Sequence, residues 1–188
     1  MKTRLVLLAL SLALTLLPVQ ALQIEGVNLP AQKTVNGQVL QLNGAGLRTF
    51  KLLVVPIKVY VASLYAPSPL RTADAVFASP GPLQMNFTFL QNVSASDVAK
   101  AWRSQFDASA AGNYPGFASD RDTFIGFFGA LSSGDTQTVL FSGGTTTVSV
   151  NGQTKGTIAG TNFQQAFLSM WFGSNPVTPE LKAALLGN

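Results

Sequence analysis

The sequence predicts an α+β layer fold, on three observations. Extended segments rich in β-branched and aromatic residues alternate with period two, as where Ile57, Val59 and Val61 interleave with Lys58, Tyr60 and Ala62. A second extended block, Thr136 to Ile158, is broken by Gly143-Gly144 and Asn151-Gly152 and reads as an antiparallel meander. Segments of helical spacing fall between and after these blocks. That grouping argues for layers and against a βαβ repeat.

The elements follow in order. Thr34 to Leu42 reads as two extended pieces around Asn36-Gly37, a strong short-range hairpin signal. Asn43-Gly44-Ala45-Gly46 reads as a short glycine-bearing turn, with a weak claim on phosphate. Leu47 to Tyr65 is an extended block, and Leu83 to Leu90 a further strand with Met85, Phe87 and Phe89 on one face. The proline-rich stretches at 66–69 and 79–82 mark irregular connections. Ser94 and Asp97 resemble a capping box ahead of a helix carrying Val98, Ala101, Trp102 and Gln105-Phe106. A second helix is expected from Asp120 to Leu131, with Phe124, Phe127, Phe128 and Leu131 as its apolar stripe. A third begins near Thr161, buries Phe163, Ala166, Phe167 and Met170, and stops at Gly173. The last has Thr178 as N-cap, Pro179 in its first turn and Gly187 as its stop.

Composition bounds the chemistry. Of 188 residues 47% are apolar and 11% charged, so a hydrophobic core is affordable, while the absence of Cys and His removes disulfides, thiol nucleophiles, Ser-His-Asp triads and the usual zinc sites. No cofactor and no metal are expected. Lys2 and Arg4 precede an apolar run from Leu5 to Leu17, then Pro18 and Val19-Gln20-Ala21, the layout of a secretory signal peptide cleaved after Ala21. The run is short for a membrane anchor. The mature chain, residues 22–188, is then expected to be a single domain in the periplasm or outside the cell, without a membrane span. Without Lys2 and Arg4 the formal charge falls from +4 to +2, so the basic balance is no argument for nucleic acid.

Few residues remain to carry function. Asp120 and Asp122 fit the positive end of a helix better than acid–base work. Arg48 enters a strongly apolar strand region, where a guanidinium costs energy unless paired or solvated in a cleft. If the strand bearing Tyr60 lies beside it, guanidinium and phenol can converge on one carboxylate or oxyanion. A snorkelling Arg and a half-buried Tyr explain the same spacing.

The run Leu42-Asn43-Gly44-Ala45-Gly46-Leu47-Arg48, then Phe50-Lys51 and Lys58 to Tyr65, resembles the N-terminal signature of the chalcone isomerase-like family. Gly134-Asp135, the Gly143 to Val148 strand, Asn151 to Gly156 and the ending from Phe163 through Trp171-Phe172-Gly173 to Gly187 are similar to its bacterial secreted branch. The resemblance implies an open-faced β-sandwich, a long antiparallel sheet covered on one side by helices with a ligand cleft between. It implies either a plant-type isomerase, an intramolecular lyase cyclising chalcones, or a non-catalytic fatty-acid-binding relative. Arg48 matches the enzymes' substrate-positioning Arg. The other positions depart: Tyr60 replaces a strand Thr, Phe89 falls near the Lys, Val98 near the Tyr, Gln105 near the Asn, and Met170 on a specificity Thr.

Those departures favour binding, since Phe and Val cannot hydrogen-bond a phenolate. The expected function is binding of a fatty acid or similar apolar carboxylate, with Arg48, Tyr60, Phe89 and Met170 as ligand contacts. The alternatives are an isomerase of a chalcone-like enone, with Arg48 and Tyr60 catalytic, and a structural or interaction role with the cleft closed. Trp171 either packs on the sheet or closes one end of the cleft.

Overall fold

Two-residue hairpin turns organise the strands. In the computed structural model, which describes residues 21–52, 54–109 and 114–188, β1 (Leu22–Ile24) and β2 (Val27–Leu29) form a small ribbon of their own. A seven-stranded sheet follows: β3 (Gln32–Val35), β4 (Gln38–Leu52), β5 (Val55–Ala66), β6 (Leu83–Phe89), β7 (Thr136–Ser142), β8 (Thr145–Val150) and β9 (Gln153–Ala159), each antiparallel to the next in chain order. Asn36 and Gly37, at φ of 49° and 78°, make the β3–β4 turn, and Asn151 and Gly152 repeat it at β8–β9 with φ of 50° and 77°. These left-handed pairs match the right-handed twist of the flanking strands, which is why Asn-Gly marks them in the sequence. The expected signal segment, residues 1–21, lies outside the described residues except for Ala21.

One expectation about the strands needs correction. Gly44 and Gly46 lie inside β4, not in a turn. A Cβ on Gly44 would stand 2.1 Å from the Ala184 carbonyl oxygen, and one on Gly46 2.8 Å from the Ala184 Cβ. These glycines let the last helix, α5 (Pro179–Leu185), lie directly on the strand. Asn43 beside them serves the same junction: its buried amide donates to the Leu70 and Leu185 carbonyls at 2.9 and 2.8 Å and accepts from Leu70 N–H at 2.6 Å, so it has nothing left for phosphate. The extended block from Leu47 to Tyr65 comprises two paired strands, β4 and β5, so the strand bearing Tyr60 does lie beside the one bearing Arg48.

The helices cover one face. α2 (Ala95–Ala108) starts at Ser94, whose hydroxyl accepts from Asp97 N–H. α3 (Phe117–Gly126) begins earlier and ends sooner than its stripe predicts; Leu131 instead pairs with Val93 in an isolated bridge. α4 (Thr161–Phe172) and α5 keep their expected bounds, and a short α1 (Ala73–Ala78), capped by Thr72, sits between the proline-rich stretches. The core lies between sheet and helices, where Phe87, Met85 and Val139 of the strands meet Phe124, Phe163 and Phe167 of the helices.

Candidate functional site

Strand register assembles the site. Arg48 pairs with Tyr60 across β4–β5, and Tyr60 pairs with Phe89 across β5–β6, so the three side chains stand side by side on one rung. Just past this rung the register shifts, with Thr49 opposite Lys58, which leaves Val59 as an extra residue on β5. A bulge of this kind twists the strand and re-aims its side chains. Val59 and Tyr60 consequently both reach the same hollow.

That hollow is a cleft of about 530 Å3 between the rung and the helix layer. Its floor holds Arg48, Tyr60 and Phe89, with Phe50 toward the ribbon end. Val98, Ala101, Trp102 and Gln105 roof it from α2 at spacings of three, four and seven residues, one helical face. Trp171 of α4 also lines it, and Asp97, Lys100 and Ser104 supply a polar edge. A smaller pocket of about 220 Å3, by Phe141, Gly143 and Gln164, has no charged side chain in its lining.

Arg48 and Tyr60 bring donors to the apolar cleft, with the enclosed indole N–H of Trp171 beside the phenol. Arg48 is half-buried and donates to the Thr49 carbonyl, and among the described residues none of the ion pairs involves it. Tyr60 packs edge-on against Phe87 and Phe89, with ring centres at 5.3 and 5.7 Å. Burial pushes its phenol up to about 12, and the nearby Arg48 charge and Trp171 N–H only partly oppose this, so at neutral pH it is a protonated donor. Trp171 is 1% exposed, and its indole N–H, although close enough to bias the Tyr60 titration, has no hydrogen-bond acceptor at proper geometry. An unpaired buried N–H is costly. Guanidinium, phenol and indole together offer what an anionic oxygen pair needs, while Phe89, Val98 and Trp102 offer surface for a hydrocarbon.

The expected site residues fall out unevenly. Arg48, Tyr60 and Phe89 come together, and Val98 and Gln105 join them from α2. Met170 does not: it is fully buried in the core and absent from the cleft lining. Successive helical residues point about 100° apart, so with Trp171 turned to the cleft its neighbour faces the core. Lys58 is held at 2.6 Å by Glu25 of the β1–β2 turn and is likewise outside the cleft. Trp171, which the sequence leaves open between packing on the sheet and closing one end of the cleft, lines the cleft; that its N–H lacks an acceptor leaves no trace in a sequence.

Among the described residues no helix is long and apolar enough to cross a membrane. No curated protein matches the chain. Among solved structures, the crystal structure of a fatty-acid binding protein from Arabidopsis thaliana superposes with a TM-score of 0.68 at 16% identity, covering 89% of this chain and 96% of that one. It shares the fold, a curled antiparallel sheet with its helices. The family model described as chalcone isomerase-like matches residues 21–187, from the first described residue almost to the last, and the chain therefore belongs to the chalcone isomerase-like family.

Proposed function

We propose that the protein binds a fatty acid or a similar apolar carboxylate in the cleft, and does not turn it over. The observation that carries this reading is the convergence of an ion-unpaired Arg48, a protonated Tyr60 and an acceptor-less Trp171 N–H at one end of an otherwise apolar hollow. A carboxylate can accept from Arg48 and Tyr60, and from Trp171 once its enclosed N–H beside the phenol opens to the cleft; each charge-assisted bond contributes about 1.5–3 kcal/mol. The tail contributes about 0.8 kcal/mol for each CH2 it buries. Fatty-acid binding is also what is named for the Arabidopsis neighbour. The cyclising chemistry of the plant enzymes loses support because Phe89 and Val98, near which the resemblance puts a Lys and a Tyr, line the cleft.

Native mass spectrometry of the purified protein, followed by organic extraction, tests this: a bound acyl acid is expected, and its retention in Arg48→Ala would overturn the assignment of the site. For the N-terminus the reading is export, with residues 1–21 removed on passage to the periplasm or beyond. N-terminal sequencing of the protein recovered from its compartment should begin at Leu22.

A further inference from the structure

The β4–β5 ribbon runs past the rest of the sheet. β3 pairs with β4 only from Gln38 to Gln41, and β6 pairs with β5 only from Tyr60 to Tyr65. Beyond Arg48 and Tyr60, residues 49–52 and 55–58 pair with each other and, among the described residues, no third strand flanks them. A lone two-stranded ribbon is marginal in water, and a tip meant only for water would carry polar residues. This one reads Phe50-Lys51-Leu52-Leu53-Val54-Val55-Pro56-Ile57. Phe50, Val54 and Val55 are 50%, 91% and 59% exposed, three of the five large apolar side chains exposed among the described residues. Such clustering marks a contact surface, whereas scattered apolar residues do not.

We propose that this ribbon tip is a lipid-surface contact that dips into the interface of an anionic bilayer. Two observations choose that occupant. The first is charge: from Arg48 to Lys58 the ribbon carries Arg48, Lys51 and Lys58 and no acidic residue of its own, Glu25 of the β1–β2 turn pairing with Lys58, and an apolar tip flanked by cations is what anionic lipid attracts. The second is continuity, because Phe50 belongs both to the tip and to the cleft lining, beside Arg48. Lipid at the tip therefore adjoins the mouth of the cleft. A second copy fits less well: a contact through the tip alone would cover far less surface than a stable dimer needs. The contact itself does not depend on what the cleft holds; only the idea that cargo is exchanged there rests on the function proposed above.

The chain contains no Cys, so a single introduced thiol reports one place. Val54→Cys, and as a control Lys155→Cys on the exposed far strand β9, are labelled with a polarity-sensitive fluorophore and mixed with vesicles of phosphatidylglycerol and phosphatidylethanolamine. Residues 1–21 are common to both proteins, so the comparison between sites is the readout. The probe at 54 should shift to the blue and brighten several-fold while the probe at 155 stays water-like, and Lys51→Glu should weaken the response at least about five-fold, the effect of one cation at such a surface. A probe at 54 that stays water-like, or equal shifts at both sites, overturns the inference. So does a shift at 54 that needs no lipid and grows with protein concentration, which would assign the tip to a second copy. A protein that binds fatty acid but keeps residue 54 in water defeats this inference alone; one whose tip meets lipid but whose cleft holds no acid defeats only the function.

Discussion

The two ends of the helix-covered face use the same aromatic residues to opposite effect. Toward α3 and the middle of α4, Phe124, Phe163 and Phe167 interlock with Phe106 and Phe141 at ring-centre distances of 5.4–6.4 Å, and the three are fully buried. Toward β4 and β5 the layer stops short. There Trp102 and Trp171 roof a cleft, and Arg48, Tyr60 and Phe50 remain partly exposed beneath them. Aromatic abundance therefore does not mark the site. What marks it is space together with an Arg48 in none of the ion pairs and a Trp171 N–H without an acceptor.

Mutations should separate the two ends. Phe167→Ala, in the closed end, should cost about 3–5 kcal/mol of stability through the cavity it leaves, seen as a large drop in the denaturant midpoint with little change in ligand preference. Trp171→Phe keeps a ring against Phe167 and Phe87 but deletes the N–H. Its acid affinity, by calorimetric titration, should fall about ten-fold, the equivalent of one charge-assisted hydrogen bond; unchanged affinity would mean the indole is simply core. The smallest effect is in pH. Burial pushes the phenols of Tyr60 and Tyr65 up to about 12 and also raises that of Tyr114, helped by the Asp120 carboxylate that accepts its hydroxyl. Each holds its proton more tightly folded than unfolded, so their contribution to stability is complete below about pH 10 and is lost as the pH climbs from there toward 12. Urea midpoints should show no tyrosine-linked change from about pH 7 to 9 and drop by about pH 11, while acid binding through Tyr60 persists at pH 10.

The sequence makes the sheet legible wherever turn chemistry is explicit, as at Asn36-Gly37, Gly143-Gly144 and Asn151-Gly152, and makes the helices legible where Ser94 and Thr178 cap them. It does not mark where β4 ends and β5 begins, because the apolar run from Leu52 to Val55 contains no turn-forming residue. It also misplaces Gly44 and Gly46, since a glycine demanded by a helix 140 positions later looks the same as one demanded by a turn. Arg48 stood out as a charge among apolar neighbours, and Tyr60 by its alternation. Deciding that Trp171 and not Met170 lines the cleft requires knowing how α4 is rotated, which a helix hydrophobic nearly all round does not reveal.

The central claim is that the donor cluster reads a carboxylate. Its most direct test is calorimetric titration of wild-type protein and Arg48→Ala with a long-chain fatty acid and with its methyl ester, which has the same tail and no charge. The account predicts that the wild type prefers the acid by about ten- to hundred-fold, from loss of the charge-assisted contacts, and that the preference collapses toward one in Arg48→Ala with the fold intact. Equal binding of acid and ester by the wild type, or an acid preference that survives the loss of Arg48, would contradict it.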